Sequence, residues 1–385
     1  MLRGRNNCVR YPVRGSWEPM ARSQPLVAAG ALLVLACQRG PYTAPLSHDA
    51  YVWQRYWSAP LAAGVAHPPR EIARLRVLAR EVPGSSGRRE TIAVDTAALV
   101  RSDREVVAVM RIHDVPRLDA VSIAPLLGIV RAWTVAGVRV RGIEIDHDCP
   151  TSHLSGYARW LARERATAPG LGFSITALPT WTNSPDLPRL LDHVDFAVLQ
   201  VHAIQAPSLF DPVRARRLLS AWADRTRRPF RVALPTYQAR LATGEELSVD
   251  PATLAAFLED LSSHPLPWLS GVSWFRLGHA ADPHAFSPTT LSALARGERP
   301  ATPAITARLR AVVPGSHDIA LENPGPFDAV APATLRFSGH LEHLEGVRGY
   351  LPRGSALHTR NPILVRAGES VVVGFALGKE LALAP

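Results

Sequence analysis

Lysine is almost absent from this 385-residue chain: of 43 basic residues, only Lys379 is not an arginine. The formal charge of +10 is therefore carried by arginine, and no basic block is longer than Arg216-Arg217 or Arg227-Arg228. Tracking a phosphate backbone needs basic side chains gathered on one face, with a helix-turn-helix, zinc or aromatic module beside them. None accompanies the charge here, so no nucleic-acid partner is expected, and the arginines read as a compositional habit alongside abundant Ala, Pro and Leu. Cysteine is also scarce: Cys8, Cys37 and Cys149 are too few for a disulfide scaffold or a zinc ribbon. The chain has no HxH or HExxH spacing and no Gly-rich strand-to-helix phosphate loop. No metal or other cofactor is expected, the set Asp146, Asp148 and His202 remaining as the alternative holder of a divalent ion. No apolar run reaches the ~20 residues of a spanning helix. With 47% hydrophobic and 20% charged residues the chain is globular, neither disordered nor polytopic.

What the amino terminus does carry is an export pattern. Leu26 to Ala36 has the length of a signal-peptide h-region, Arg22 precedes it and Met20 supplies a start. The run ends in Val34-Leu35-Ala36-Cys37, which resembles a bacterial lipobox, so Cys37 is the expected lipidation site. An ordinary signal peptide with an incidental cysteine is the alternative. Residues 1–19, with no apolar segment, are expected to be a non-native or untranslated extension, 20–37 the lipoprotein signal peptide, and 38–48 a tether. Gln38 rather than Asp follows the cysteine, which by analogy with enteric lipoproteins favours the outer membrane of a Gram-negative cell. The expected product is exported and attached to the membrane through its lipid, facing the periplasm or the cell surface.

Beyond the tether, β-rich apolar runs alternate with helical patterns. Strands are expected at Tyr51 to Arg55, Leu75 to Glu81, Glu105 to Ile112, Val138 to Asp146, Gly172 to Ala177, Val194 to Val201, Phe230 to Pro235 and Gly271 to Phe275. Amphipathic helices are expected at Val121 to Ala136, Ser152 to Ala166, Pro212 to Arg225 and Pro251 to Ser263, the last with Asp250 as N-cap and Pro251 at the first helical position. Strands alternating with helices pair in parallel, and eight of them imply an α/β fold, a (β/α)8 TIM-like barrel over residues 49–312. A doubly wound open sheet is the competing arrangement. From about Pro314 the pattern changes to short alternating runs at His317 to Leu321, Ala333 to Phe337, Pro362 to Arg366 and Val371 to Leu377, which suggest a small antiparallel β domain over 313–385. It reads as a packing module or, alternatively, a carbohydrate-binding one.

In such a barrel, chemistry sits at the C-terminal ends of the strands. The fourth strand runs Val138 to Asp146 and continues through His147 and Asp148. Alternation puts Glu144, Asp146 and Asp148 on one face and Ile143 and Ile145 on the other. Ile143 and Ile145 belong against the helices, so the carboxylates face the barrel interior and His147 points away. Like charges at this spacing are expected to raise at least one pKa. Pairing with arginine as pure scaffolding is the alternative. Further strand-end residues suited to sugar recognition are Trp53, Arg55, Arg111, His113, Trp181, Gln200, His202, Tyr237, Trp274 and Arg276: aromatic faces stack on sugar rings and polar tips bond hydroxyls. Cys149 reads as a small buried residue, since no His-Asp set is spaced to activate it.

The segment Arg141 to Asp148 resembles the DGxDxDxE motif of family 18 glycoside hydrolases, the chitinase family. Gly142, Ile143, Ile145 and Asp146 match, Glu144 stands where the motif has Asp, and Asp148 stands at the position of the acid. Asp195 to His202 is similar to that family's sixth strand, with His202 replacing Tyr, and Gly271 to Phe275 to its barrel-floor tryptophan strand. The resemblance implies Asp148 as general acid, Asp146 as the residue that orients a substrate acetamido group and tunes the acid, and Glu144 as a supporting carboxylate. Asp148 is one methylene shorter than Glu, so either the substrate sits deeper or the site binds without cleaving. A conventional retaining pair, Asp146 with Asp148 at ~5 Å, is a further possibility. The combination VWQRYW, IDHDCP, SITALPTW, LQVH and ALPTY also resembles an uncharacterised bacterial family of barrel lipoproteins, a domain of unknown function, which supplies no activity. The expected function is a lipid-anchored, glycoside-hydrolase-like protein acting on an envelope polysaccharide. The alternatives are a non-catalytic glycan-binding barrel and a structural envelope lipoprotein.

Overall fold

Near-continuous apolar runs become strands where both faces can be buried, and here eight such segments find one another in parallel. The computed structural model describes residues 46–83, 90–113, 118–202, 208–240, 246–299 and 305–384. The strands are β1 (Ser47–Val52), β2 (Ile72–Val82), β3 (Glu105–Ile112), β4 (Val140–His147), β5 (Gly172–Ala177), β6 (Phe196–Gln200), β7 (Phe230–Pro235) and β8 (Leu269–Phe275). Each pairs in parallel with the next, and β1 pairs with both β2 and β8, so the sheet closes into a barrel. A helix follows every strand: α1 (Ala59–Ala66), α2 (Thr96–Ser102), α3 (Ala124–Val135), α4 (Leu154–Ala166), α5 (Leu187–Leu191), α6 (Pro212–Thr226), α7 (Pro251–Ser263) and α8 (Pro288–Ala295). Asp250 caps α7 by accepting from the Ala252 amide, with Pro251 opening the helix. The chain is therefore a (β/α)8 barrel, as its strand pattern implied.

Three strands coincide with their expected limits, and the first does not. Strand β1 begins at Ser47 rather than Tyr51, because Asp49 is a buried strand residue: it accepts from Arg76 at 2.9 and 3.0 Å. A search for apolar runs passes over a strand that owes its burial to an ion pair. Between the strands and the helices lies a large apolar core that includes Trp133, Trp160 and Trp222. Inside the barrel a smaller cluster of Tyr51, Val109, Val198 and Ala233 packs against Trp53, Phe196 and Phe275. Below it the interior is charged. Arg76 joins Asp49 and Glu144, and Arg231 joins Asp49 at 3.2 Å. Room for Arg231 comes from Gly271, where a Cβ would collide with that guanidinium and with the Ser47 carbonyl.

The second sheet is antiparallel: β9 (Thr306–Val313), β10 (Ser316–Glu322), β11 (Thr334–Gly346), β12 (Leu351–Arg353), β13 (Ala356–His358) and β14 (Ser370–Ala384), in the order β9-β10-β14-β11-β13-β12. It begins at Thr306, ahead of Pro314, because the β9–β10 hairpin turns there. Its own core includes Ile319, Leu335, Phe337 and Tyr350. It braces the segment after β8: Arg366 donates to the carbonyls of His279, Ala280 and Asp282, and Asp328 accepts from the Ser287 amide at 2.7 Å. Barrel and sheet fall within one compact unit, Gly40–Pro385. Cys37, the segment 20–37 expected to be a signal peptide and residues 1–19, expected to be an extension, lie outside the described residues. Among the described residues no helix is long and apolar enough to cross a membrane.

Candidate active site

At the C-terminal ends of the strands the barrel opens into a cavity of about 240 Å3. Strand β4 supplies its acidic wall. Asp146 is buried and accepts from Thr176 Oγ1 at 2.6 Å and from Arg111 Nη1 at 2.7 Å. Asp148, two residues further out, has its side chain 47% exposed and accepts from Arg111 Nη2 at 2.6 Å. One guanidinium thus bridges both carboxylates, and it does so because β3 and β4 pair with Arg111 opposite Asp146. Burial raises the Asp146 pKa above the carboxylate range, with Arg111 and Thr176 opposing it and the charge of Asp148 adding to it. Burial is the leading cause, and the like-charge repulsion expected from the spacing adds to it. Burial also works against the charge on Arg111, but Asp146 and Asp148 outweigh it and hold that pKa above its ordinary value.

A second ion-pair group stands beside the first. Glu81 accepts from Arg55 Nε at 2.5 Å and Nη2 at 2.7 Å, and meets His113 Nε2 at 3.2 Å. Burial would raise Glu81, but the hydrogen bonds from Arg55 and His113 hold it below the usual range. Opposite lies an aromatic wall. Trp53 tilts against Phe275 with centroids 5.2 Å apart, Tyr237 meets Phe275 edge-on at 5.6 Å, and His202 stacks on Phe275 at 5.8 Å. Gln200 and Thr176 complete the lining with Tyr51 and Ala233.

Of the strand-end residues singled out in the sequence, the cavity therefore brings together Trp53, Arg55, Arg111, His113, Asp146, Asp148, Gln200, His202 and Tyr237. Four others lie elsewhere. Glu144 sits one layer down, fully buried, accepting from Tyr51 Oη at 2.7 Å and Ser174 Oγ at 3.0 Å and paired with Arg76. Burial pushes its pKa up. Trp181 is buried in the turn after β5, its indole N–H donating to the Cys149 carbonyl at 2.8 Å. Trp274 points outward into the helix-side core and stacks on His48 at 5.8 Å, because alternation gives the inward positions of β8 to Ser273 and Phe275. Arg276 is tied to Asp282 at the rim. His147 faces away from the cavity, meeting the Ile112 carbonyl and the edge of Tyr157. Cys149 is buried, and burial pushes its thiol up to about 12, out of reach of nucleophilic chemistry.

Tyr51, Glu81, Thr176 and Phe275 line the cavity without having been singled out. For Glu81 the reason is a register shift. Arg76 faces inward, and strict alternation would turn Glu81 outward. The shift between Leu78 and Arg80 in the β2–β3 pairing sets Glu81 opposite the inward Arg111. Phe275 was signalled by its alternation with Trp274.

Residues 102–280 match the family model described as Domain of unknown function (DUF3142). The DUF3142 span holds β3 to β8, and with them Arg111, Asp146, Asp148 and His202, whereas Trp53, Arg55 and Glu81 precede it. Among solved structures, the Bacillus cereus spore cortex-lytic enzyme SleL is 12% identical, with 66% of this chain and 74% of that chain covered and a TM-score of 0.49. A GH18 chitinase from Pseudoalteromonas aurantia is 11% identical, with coverage of 60% and 93% and a TM-score of 0.43. A glycoside hydrolase family 30 xylanase from Clostridium acetobutylicum is 10% identical, with coverage of 86% and 96% and a TM-score of 0.41. None of these likenesses assigns a residue or a reaction to this chain. No curated protein matches the chain.

Proposed function

We propose that this protein is a lipid-anchored envelope glycoside hydrolase that works on a polysaccharide, Asp148 serving as proton donor and Asp146 as its partner. The observation that carries the reading is the open cavity in which half-exposed Asp148 stands above buried Asp146, facing an aromatic wall of Trp53, Phe275 and Tyr237. An interior closed entirely by arginine pairs would favour a purely structural lipoprotein, and this one leaves space. At about 240 Å3 the cavity is smaller than the ~300–1,000 Å3 of pockets that enclose drug-sized ligands, so it takes a single ring of a chain that continues into solvent. Stacking on Trp53 or Phe275 would bind the ring. Asp148 would protonate the leaving oxygen, the buried carboxylate of Asp146 would face the positive charge that develops at the anomeric carbon, and a water would add to that carbon and return its proton to Asp148. Asp148 must first give up its bond to Arg111 before it can turn to the leaving oxygen. That same bridge favours a second reading, a barrel that binds glycan without cleaving it.

A panel of fluorogenic hexosaminides and glucosides together with isolated exopolysaccharides, offered to the detergent-solubilised chain, separates the two. Turnover that disappears in Asp148→Asn supports hydrolysis. Equal turnover by the variant removes Asp148 from the chemistry, and binding without turnover favours the second reading. For the anchor, the motif ending in Cys37 leads us to expect incorporation of labelled fatty acid in cells that is lost in Cys37→Ser. Incorporation that persists in the variant would refute the assignment.

A further inference from the structure

Two acceptors of the cavity, one on His202 and one on Asp148, await a donor, beside the Tyr237 hydroxyl, which also has no partner among the described residues. His202 Nδ1 lies 3.3 Å from the Ala233 carbonyl oxygen, which can only accept. The proton therefore sits on Nδ1, and Nε2 keeps its lone pair. Burial holds this imidazole down at about 4, so the ring stays neutral and the tautomer persists. Phe275 stacks on the ring and the edge of Tyr237 closes it in, but no described residue donates to Nε2. Asp148 lines the same cavity. Its Oδ2 is taken by Arg111, while its Oδ1 has no partner among the described residues. Three carboxyl groups, Glu81, Asp146 and Asp148, and two guanidinium groups, Arg55 and Arg111, stand around the cavity. Of the other ionisable groups there, His113 is turned to Glu81, Tyr51 donates to Glu144, and burial pushes the Tyr237 hydroxyl up to about 12.

A neutral imidazole lone pair and a free carboxylate oxygen both ask for a donor. An acetamido group brings one N–H and a carbonyl that would face these lone pairs. A primary ammonium brings three N–H groups and the opposite charge. We propose that the mouth selects a sugar carrying a protonated primary amine, a hexosaminium unit of a de-N-acetylated amino-sugar polymer, held by Asp148 Oδ1 and His202 Nε2. This rests on the reading of the mouth as a site that binds glycan: a hexosaminium ring held there by Asp148 is bound and not cleaved, since an Asp148 that accepts from the ammonium has no proton to give.

Calorimetric titration of the detergent-solubilised full chain with hexamers of glucosamine, N-acetylglucosamine and glucose tests it. In weakly acidic buffer the glucosamine hexamer should bind about tenfold tighter than the other two, the scale of one charge-assisted hydrogen bond. That preference should shrink in alkaline buffer as the amine loses its proton. It should be lost in Asp148→Asn and reduced in His202→Phe, which keeps a ring against Phe275 and removes the lone pair. An N-acetylglucosamine or glucose hexamer that binds as well as the glucosamine hexamer overturns the selection and leaves the glycan reading standing. An amine preference undiminished in Asp148→Asn overturns the assignment to this carboxylate. Binding of none of the three hexamers overturns the glycan reading together with the selection.

Discussion

Glu144 and Asp148 lie four residues apart on the inward face of one strand segment, and each meets an arginine, yet the two levels of the barrel do different work. At Glu144 the surroundings are closed. Arg76 spends its donors on Asp49, Glu144 and Ser174, Tyr51 donates to Glu144, and neither side chain of the Arg76–Glu144 pair touches solvent. At Asp148 the carboxylate is half-exposed, one oxygen has no partner among the described residues, and an aromatic wall stands across open space. The same pair of residue types thus fills the barrel at one level and is offered to a ligand at the next. Burial and the completeness of hydrogen bonding separate the two roles, and charge alone does not.

The largest expected effect tests the lower level. Arg76→Met leaves Asp49 and Glu144 without their shared cation, and removing one partner of a buried ion pair costs about 3–5 kcal/mol. Urea unfolding should show that loss, and a loss below about 1 kcal/mol would place the lower level among merely tolerated contacts. At the mouth, Asp148→Asn should cut glycan turnover at least about a hundredfold, the scale of losing a positioned general acid. Its unfolding free energy should change by no more than about 1 kcal/mol, because the pair with Arg111 is half solvated. Trp53→Ala should weaken glycan binding about tenfold through loss of ring stacking, measured by the same calorimetric titration. A further effect is one of pH. His202 has its pKa lowered from 6.5 to about 4, so the unfolded chain takes up this proton first as pH falls. Its contribution to stability is complete above pH 6.5 and is lost as pH falls from 6.5 to about 4. Relative to His202→Gln, the wild-type chain should lose stability across that window, and a constant difference would mean the ring is not buried as described.

The barrel was legible because eight β-rich runs and their capped helices carry local signals, such as Asp250 with Pro251. Much of the acidic wall was legible too, since Glu144, Asp146 and Asp148 share a strand parity. What could not be read was depth. Parity places Glu144 and Asp148 on one face without saying that one lies beneath the other under a layer of side chains. Glu81 was hidden by a register shift that exists only in the pairing with the neighbouring strand. Trp181 and Trp274 attracted notice as aromatics near strand ends, but Trp181 lies in a turn that bonds to Cys149, and Trp274 fills the helix-side core. The charged floor of Asp49, Arg76 and Arg231 comes from strands distant in sequence, whose residues meet only when β1 closes the barrel against β2 and β8.

The contrast between the two levels stands or falls on Asp148→Asn examined for stability and glycan turnover in the same preparation. The account predicts an unfolding free energy within about 1 kcal/mol of wild type and turnover reduced at least about a hundredfold. A shifted midpoint with turnover intact would make Asp148 another scaffold carboxylate and contradict the division of the barrel into a structural floor and a working mouth.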